Sequence, residues 1–521
     1  MFYLLLQIES HLLLGSYFTI IQRISLMIIS KTDYLEYTFC RKNLWLRKHK
    51  PELFEGVEFT DFEKKIIEDG NLAELACRKL FPDGMLIESR GKQAIEETKM
   101  EIGKGEKTLF QATFQDDVFF LRADILRFNA DLNGWELCEI KATNSIKRGE
   151  ARNYVTDLAF QKTVIEKSGF VIVKTTVMHL NPEFVKHGEV NFHELFVTID
   201  LTEEVIAAQE HLQQEMLNAK AYLDGPEEKG CLCIYEGRSN HCSTFAYSNP
   251  QVPEYSVHDF NRIGMSKKKL IDWIDKGELA FEDIQNPEAL NEAQRRQYDA
   301  YSLGRVIFDA KAIHEVLDGL VFPLQFFDYE GYSSAIPLFD GFGAYEQAPF
   351  QYSLHVLHED GTIDHKEFLI TDPASDLTLP LIERMKLDID PSGTVVSWYK
   401  SYESQRNDKL AELHPEHATF LKELNEKMFD LMTIFSDGHY VDPAFRGSAS
   451  IKKVLPAIVP ELNYATLNIH KGDQASERWE KMISQKTRQE EKEKIAADLL
   501  EYCKLDTWAM VMIYRFLKNL S

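Results

Sequence analysis

The chain reads as an α/β protein: two sheet-bearing domains joined by a helical connector. Three features of its pattern lead there. Between Thr32 and about Leu180, helical periodicity alternates with β-rich runs. From about Ser256 to Leu320 the pattern is mostly helical, and after Pro323 strands return, first in succession and then alternating with helices. A length of 521 residues suits roughly three domains, with boundaries drawn at 27–250, 251–320 and 321–521. A hydrophobic content of 44% is enough to give each sheet a core.

The first part begins with helices over Tyr34–Lys48 and Asp61–Lys79. A hairpin follows, in which Val118–Leu126 and Trp135–Lys141 flank the polar turn Asn129 to Gly134. A helix over Glu150–Lys167, a strand over Phe170–Leu180 and a polar helix over 200–222 complete it. The cysteine-bearing segment Gly230–Pro250 leads into the connector. In the last part, strands are expected at Leu324–Glu330, Gln351–His358, His365–Ile370 and Thr394–Tyr399, and Ala475–Glu493 reads as one charged, solvated helix.

A net charge of −24 argues against a broad basic surface that grips nucleic acid by neutralising phosphates. It is compatible with an acidic cleft that holds a phosphodiester through bound cations, because each metal reverses the local sign. Seven cysteines in so long a chain make no disulfide framework, and a reducing cytoplasm is the expected location. The stretch Met1–Ser30 is rich in Leu and Ile, but Gln7, Glu9, His11, Gln22 and Arg23 break it short of the ~20 apolar residues of a membrane span. It has no basic n-region, so no membrane association is expected. The natural start is expected at Met27; the alternative is an amphipathic helix lying on the first domain.

Two groups of residues carry chemistry. In the hairpin, Asp124 is followed by Glu139-Ile140-Lys141, and alternation puts Glu139 and Lys141 on one face of their strand. Carboxylate oxygens suit a hard cation such as Mg²⁺ or Mn²⁺, and the lysine can assist an attacking water or neutralise charge developing on phosphorus. The same triplet also occurs on solvated strand edges, so context has to decide. The second group starts at Asp328 and Glu330, which share one face of a strand and repel each other unless a cation lies between them. Tyr502 and Asp506 stand one helical turn apart near the C-terminus, and Glu403 opens a helix after a strand. Together these acids make a site for two divalent ions, with Tyr502 orienting the attacking water.

These residues resemble two known families. The N-terminal part resembles PD-(D/E)XK nucleases of the RecB type. Asp124, Glu139 and Lys141 fall on the nuclease motif, and Tyr154-Val155-Thr156-Asp157-Leu158-Ala159-Phe160-Gln161 matches the helix that carries the family's glutamine. The resemblance implies substrate-positioning roles for Gln161 and Tyr154 and a further metal ligand at Glu74. The C-terminal half resembles RNase H-like exonucleases of the DEDD type, in the variant whose last motif is Tyr-x-x-x-Asp. Asp328, Glu330 and Asp506 match, while Glu403 stands where that family has aspartate. The whole layout is similar to a largely uncharacterised bacterial family known only by a domain of unknown function.

Many RecB-type relatives also hold a [4Fe–4S] cluster on one early and three late cysteines. Cys40, Cys233 and Cys242 fall at such positions, but Ser248 stands where the fourth ligand belongs, with Cys231 as a substitute. Loss of the cluster with retention of the fold is the expected state. The sequence therefore implies a metal-dependent nuclease acting on DNA, with RNA as a further substrate, and a C-terminal centre of the 3′–5′ exonuclease type. The alternative is a nucleic-acid-binding or scaffold protein in which one or both nuclease folds are inert.

Overall fold

A computed structural model describes residues 27–521 apart from 57–58, 150–151, 373–376 and 465–466, with the side chains of Phe62 and Arg152 also left out. The amphipathic alternative for the N-terminal stretch thus lies outside the described residues, as does Glu150, the expected first residue of a helix. The chain is mixed α/β and divides into two compact units. Of the described residues, one comprises those in 27–56, 73–180 and 192–228, and the other those in 59–72, 181–191 and 229–521. No helix among the described residues is long and apolar enough to cross a membrane.

The first unit opens with β1 (Ile29–Ser30) and α1 (Lys31–His49). A capping box starts α1: Ser30 Oγ accepts from Asp33 N at 3.1 Å, and Asp33 Oδ2 accepts from Ser30 N at 2.8 Å. The helix α2 (Asp61–Arg78), of which residues 73–78 belong to this unit, precedes β2 (Met85–Leu86), α3 (Gly91–Lys104), β3 (Thr108–Asp116), β4 (Phe119–Asn129) and β5 (Gly134–Lys141). Next come α4 (Tyr154–Lys167), β6 (Ile172–Leu180), β7 (Phe196–Asp200) and α5 (Thr202–Asp224). The strands form one seven-stranded sheet in the order β2-β3-β4-β5-β6-β7, with β1 pairing to β4.

The hairpin and flanking helices stand close to where the sequence puts them, and α3, β3 and β7 are additions. Strand β3 escapes a period-two reading because Gln111 interrupts it at φ 58°, a left-handed conformation uncommon outside glycine. Asn153 explains why α4 starts at Tyr154: its Oδ1 accepts from Val155 N and Thr156 N at 3.0 and 3.1 Å. The core packs helices on the sheet, as where Phe160 of α4 meets Phe119 of β4 edge to face with ring centroids 6.0 Å apart.

The second unit carries the connector helices α6 (Lys267–Asp275) and α7 (Glu292–Leu303), then β8 (Leu324–Tyr332), β9 (Ala348–Leu357), β10 (Ile363–Leu369) and α8 (Leu379–Asp388). After these come β11 (Thr394–Ser397), α9 (Lys400–Leu413), α10 (Ala418–Glu426), β12 (Met428–Asp430), α11 (Ile451–Ile458), α12 (Gly472–Ile483) and α13 (Gln489–Lys518). The five-stranded sheet runs β10-β9-β8-β11-β12. The pairs β10–β9 and β9–β8 are antiparallel, and β8–β11 and β11–β12 are parallel.

One expectation is corrected. The stretch expected as a single solvated helix, Ala475–Glu493, belongs to two helices with a break between Ile483 and Gln489. The first of them is not a solvated element. Ala475, Trp479 and Met482 recur at helical spacing and are buried. Trp479 lies against Phe350 at 4.5 Å between centroids and donates from Nε1 to Ile370 O at 2.7 Å. Charge counting along the segment hides this stripe because three apolar residues suffice to bury one face.

Candidate metal centres

In the first unit the hairpin ladder stops where the acids begin. Strands β4 and β5 pair from Asn129–Gly134 up to Ile125–Cys138. Beyond that point Asp124 Oδ2 accepts from Ile140 N at 2.8 Å, so a side chain satisfies a strand amide. Strand β3 occupies one edge of β4, and β1 pairs with Phe119 and Phe120 on the other. The opening at Asp124 therefore lies between β1 and β5.

Glu139 is buried at this opening and is surrounded by donors. Lys31 Nζ reaches its Oε1 and Oε2 at 2.8 and 3.1 Å, Lys141 Nζ reaches Oε1 at 2.7 Å, and Gln161 Nε2 reaches Oε2 at 2.7 Å. Asp157, also buried, accepts from Lys141 at 2.8 Å and from Gln161 at 2.9 Å. The Tyr154 ring lies 5.2 Å from Lys141 Nζ, within cation–π range. Gln111 Nε2 links Glu74 Oε1, at 2.5 Å, to Asp124 Oδ1, at 3.4 Å. Every residue expected at this centre is thus brought to it. Gln161 is fully buried and spends its amide on Glu139 and Asp157, so its reach is to the acids.

The charges here are unequal in their support. Burial, and then the neighbouring Glu139 charge, pushes the Asp124 carboxyl up to about 7. Burial also works upward on Glu139, but Lys141 and Lys31 outweigh it and hold that carboxyl well below the usual range. Burial works against the charge on Lys141, and Asp157 and Glu139 overcome it. Asp124 is accordingly the acid with the most to gain from an added cation.

The second unit gathers the other group. Asp328 and Glu330 come from the central strand β8, whose register shifts after Glu330 at a bulge. Glu403 comes from the first turn of α9, and Tyr502 and Asp506 from α13. Ligand atoms of Asp328, Glu330 and Cys503 lie within 4.8 Å of one another. Tyr464 Oη donates to Asp506 Oδ1 at 2.5 Å, and Lys452 Nζ donates to the Tyr502 hydroxyl at 3.2 Å. Glu403 is 1% exposed and its Oε2 has no hydrogen-bond partner. A buried carboxylate oxygen without a donor is costly unless a proton or a cation serves it.

The electrostatics agree with the geometry. Burial, then Asp506, Glu330 and Glu403, pushes Asp328 well above the carboxylate range. Burial and Asp506 do the same to Glu330. Burial raises Glu403 to about 8 and Asp506 to about 6, the latter relieved by Tyr464. Lys452 lowers the Glu330 and Asp506 carboxyls and Arg406 lowers Glu403, and two cations do not match four acids. Oxygen donors this crowded and this short of positive charge fit hard divalent ions.

A pH dependence follows. All four acids hold their protons more tightly in the folded chain than in an unfolded one. The stability this contributes is complete below the ordinary carboxylate range of about pH 4. It is lost as pH rises through about 6 for Asp506 and about 8 for Glu403. A divalent ion takes over the protons' role. Scanning fluorimetry is therefore expected to show a larger rise in melting temperature on replacing EDTA with Mn²⁺ at pH 8 than at pH 6. An equal or smaller rise at pH 8 contradicts the assignment.

Cys231, Cys233 and Cys242 of the second unit bring their sulfurs within 4.8 Å of one another, with 3.8 Å between Cys231 Sγ and Cys242 Sγ. Asn249 Nδ2 donates to Cys231 Sγ at 3.1 Å. Ser248 ends the short helix Phe245–Ser248, and Cys231 stands with Cys233 and Cys242 in the group. Cys40 belongs to the first unit, at a kink within α1. Metal–sulfur bonds of about 2.3 Å to one tetrahedral ion place two sulfurs about 3.8 Å apart. The observed separation is compatible with thiolates gathered around a metal ion.

Fold and site together define a mixed α/β protein with two clusters of buried acids and a group of converging cysteines. Residues 325–450 match the profile of a family described as a domain of unknown function, DUF2779. That segment contains Asp328, Glu330 and Glu403 and ends before Tyr502 and Asp506. The chain is similar to the uncharacterised protein UU173 of Ureaplasma parvum, at 28% identity over 302 residues, 53% of this chain and 41% of that one. It is also similar to the uncharacterised MG366 homologue of Mycoplasma pneumoniae, at 30% identity over 217 residues, 37% of this chain and 32% of the other. The chain spans less than half the length of either relative.

Several residues that shape these centres escape sequence reasoning. Asp157 is the traceable one, because it stands one helical turn before Gln161 on the same face. Lys31, Gln111, Lys452 and Tyr464 carry no local signal; they arrive by tertiary contact.

Proposed function

We propose that this protein is a metal-dependent nuclease that hydrolyses phosphodiester bonds of DNA, with RNA as a further substrate class. Its second unit is read as an RNase H-like exonuclease domain of 3′–5′ type, and its first as a PD-(D/E)XK domain. The observation that carries the proposal is the convergence of Asp328, Glu330, Glu403 and Asp506 from three elements, under-supplied with cations and with a buried Glu403 oxygen lacking a donor. The sheet order, in which three antiparallel strands precede two parallel ones, supports the RNase H-like reading. The hairpin β4–β5, followed by a helix that presents Gln161 to Glu139, supports the other.

Bound Mg²⁺ or Mn²⁺ would be held by Asp328, Glu330, Glu403 and Asp506 at one centre, and by Asp124, Glu139 and Glu74 at the other. Such ions supply Lewis acidity and a water that ionises near neutral pH. The chain's own groups do the rest. Lys452 holds the Tyr502 phenol beside Asp506, where it can fix the direction of an attacking water. Burial, and then the three acids around it, keeps Tyr502 protonated, so it acts as a donor. Lys141 stays charged and can meet negative charge that develops on phosphorus.

The test is a panel of end-labelled single- and double-stranded DNA and RNA, incubated with Mg²⁺ or Mn²⁺. Cleavage that Asp328→Ala or Lys141→Ala removes supports the proposal, and no cleavage of any substrate with either ion defeats it. In that event, nucleic-acid binding without cleavage would favour an inert nuclease fold serving as a binding protein.

The cysteine group is proposed to hold one structural zinc-like ion through Cys231, Cys233 and Cys242. Purified protein is expected to be colourless and to contain zinc, which Cys231→Ser and Cys242→Ser lose; Cys40→Ser tests whether that thiol serves it too. A brown, iron-rich preparation with a visible absorption band would restore the cluster instead.

A further inference from the structure

We propose that Lys31 is a built-in countercation of the first centre, and that a divalent ion binds there by displacing the Lys31 ammonium from Glu139. The inference rests on reading Asp124 and Glu139 as metal ligands. An ionised carboxylate offers about four lone-pair sites. At Glu139 all are spoken for: Oε1 faces Lys31 and Lys141, and Oε2 faces Lys31 and Gln161. An ion can therefore reach Glu139 only if a protein donor leaves.

The three donors are not equally free to go. Lys141 and Gln161 are each also bonded to Asp157, which is 1% exposed. Withdrawing either one would strip a buried carboxylate of a hydrogen-bond donor. Lys31 donates its hydrogen bonds to Glu139, and it meets Asp157 and Asp124 through charge and not through a hydrogen bond. Its exit leaves both hydrogen bonds to Asp157 in place.

Position supports the same conclusion. Lys31 is the first residue of α1, directly after β1, and β1 fills the edge of β4 next to the opening at Asp124. Its backbone is held by the Ser30–Asp33 capping box and by Lys48, which bonds Asp33 Oδ2 at 2.8 Å. The four-carbon arm can swing away without moving the helix. The charges also balance better after exchange. With Glu74 paired to Arg78, Asp124, Glu139 and Asp157 face two ammonium groups in the metal-free centre, and replacing one of these by a divalent ion neutralises all three acids.

The experiment measures Mn²⁺ binding by calorimetry in a full-length Asp328→Ala/Asp506→Ala background, which disables the second centre. Lys31→Gln is expected to bind Mn²⁺ at the first centre at least tenfold more tightly than Lys31, while Lys31→Arg keeps the weaker affinity. Metal-free Lys31→Gln is expected to melt lower and to recover more on adding Mn²⁺ than the parent does. A residue with only a structural role would produce the lower melting point without the tighter binding. Unchanged or weaker Mn²⁺ binding by Lys31→Gln overturns the inference, with Lys31→Met as a second variant if the first fails to fold. Asp124→Asn in the same background separates the two levels. If it leaves Mn²⁺ binding intact, the reading of the centre fails. If it abolishes binding while Lys31→Gln does not tighten it, the countercation alone is wrong.

Discussion

With end-labelled single-stranded DNA and Mn²⁺, Asp328→Asn is expected to slow removal of terminal nucleotides by roughly 10³-fold, the scale of losing several kcal/mol of metal-assisted stabilisation. Asp328 is central because it stands on the middle strand of its sheet and is coupled to all three other acids. The same change removes one charge from a crowded group. Metal-free Asp328→Asn protein is therefore expected to melt higher than wild type at pH 8, where repulsion among the acids is greatest. Loss of activity with a gain in metal-free stability is the signature of a binding site kept at a cost to the fold. Loss of both would mean that Asp328 serves packing, and unchanged cleavage would remove it from the centre.

Lys141→Ala should show the opposite coupling. Removing one preorganised cation from a phosphoryl-transfer site typically costs about 10²- to 10³-fold in rate, and cleavage assigned to the first centre is expected to fall by that much. Here stability falls as well. Lys141 joins Glu139 to Asp157, and both acids are buried. Breaking a buried pair by deleting one partner costs about 3–5 kcal/mol. Lys141→Ala/Asp157→Asn is expected to recover much of the stability and none of the rate, because it removes the stranded charge without restoring the ammonium. If the double variant regains activity, Lys141 acts through the fold alone.

Much of this arrangement can be read along the chain, and the reason is the range over which each signal acts. Asp124, Glu139 and Lys141 lie on adjacent strands of a hairpin, and Tyr502 and Asp506 lie one turn apart on a helix, so local periodicity is enough to align them. The α4 helix is legible for the same reason, and Asn153 sharpens where it begins. Strand β3 is not, because Gln111 breaks its alternation in order to reach both Glu74 and Asp124. The burial of α12 is hidden as well, since Trp479 finds Phe350 across a long separation in sequence.

Residue types and short spacings thus decided which carboxylates and cysteines are candidates and which elements carry them, because hydrogen-bonded periods of two and 3.6 residues write themselves into sequence. Tertiary structure alone decided how each acid is countered. Lys31 and Lys141 share Glu139, Asp124 is left protonatable near neutral pH, and Glu403 retains an oxygen without a donor. Such balances depend on desolvation and on side chains brought together from more than a hundred residues apart, as Lys31 and Glu139 are. Burial sets the strength of every one of those charges, and burial is a property of the packed chain.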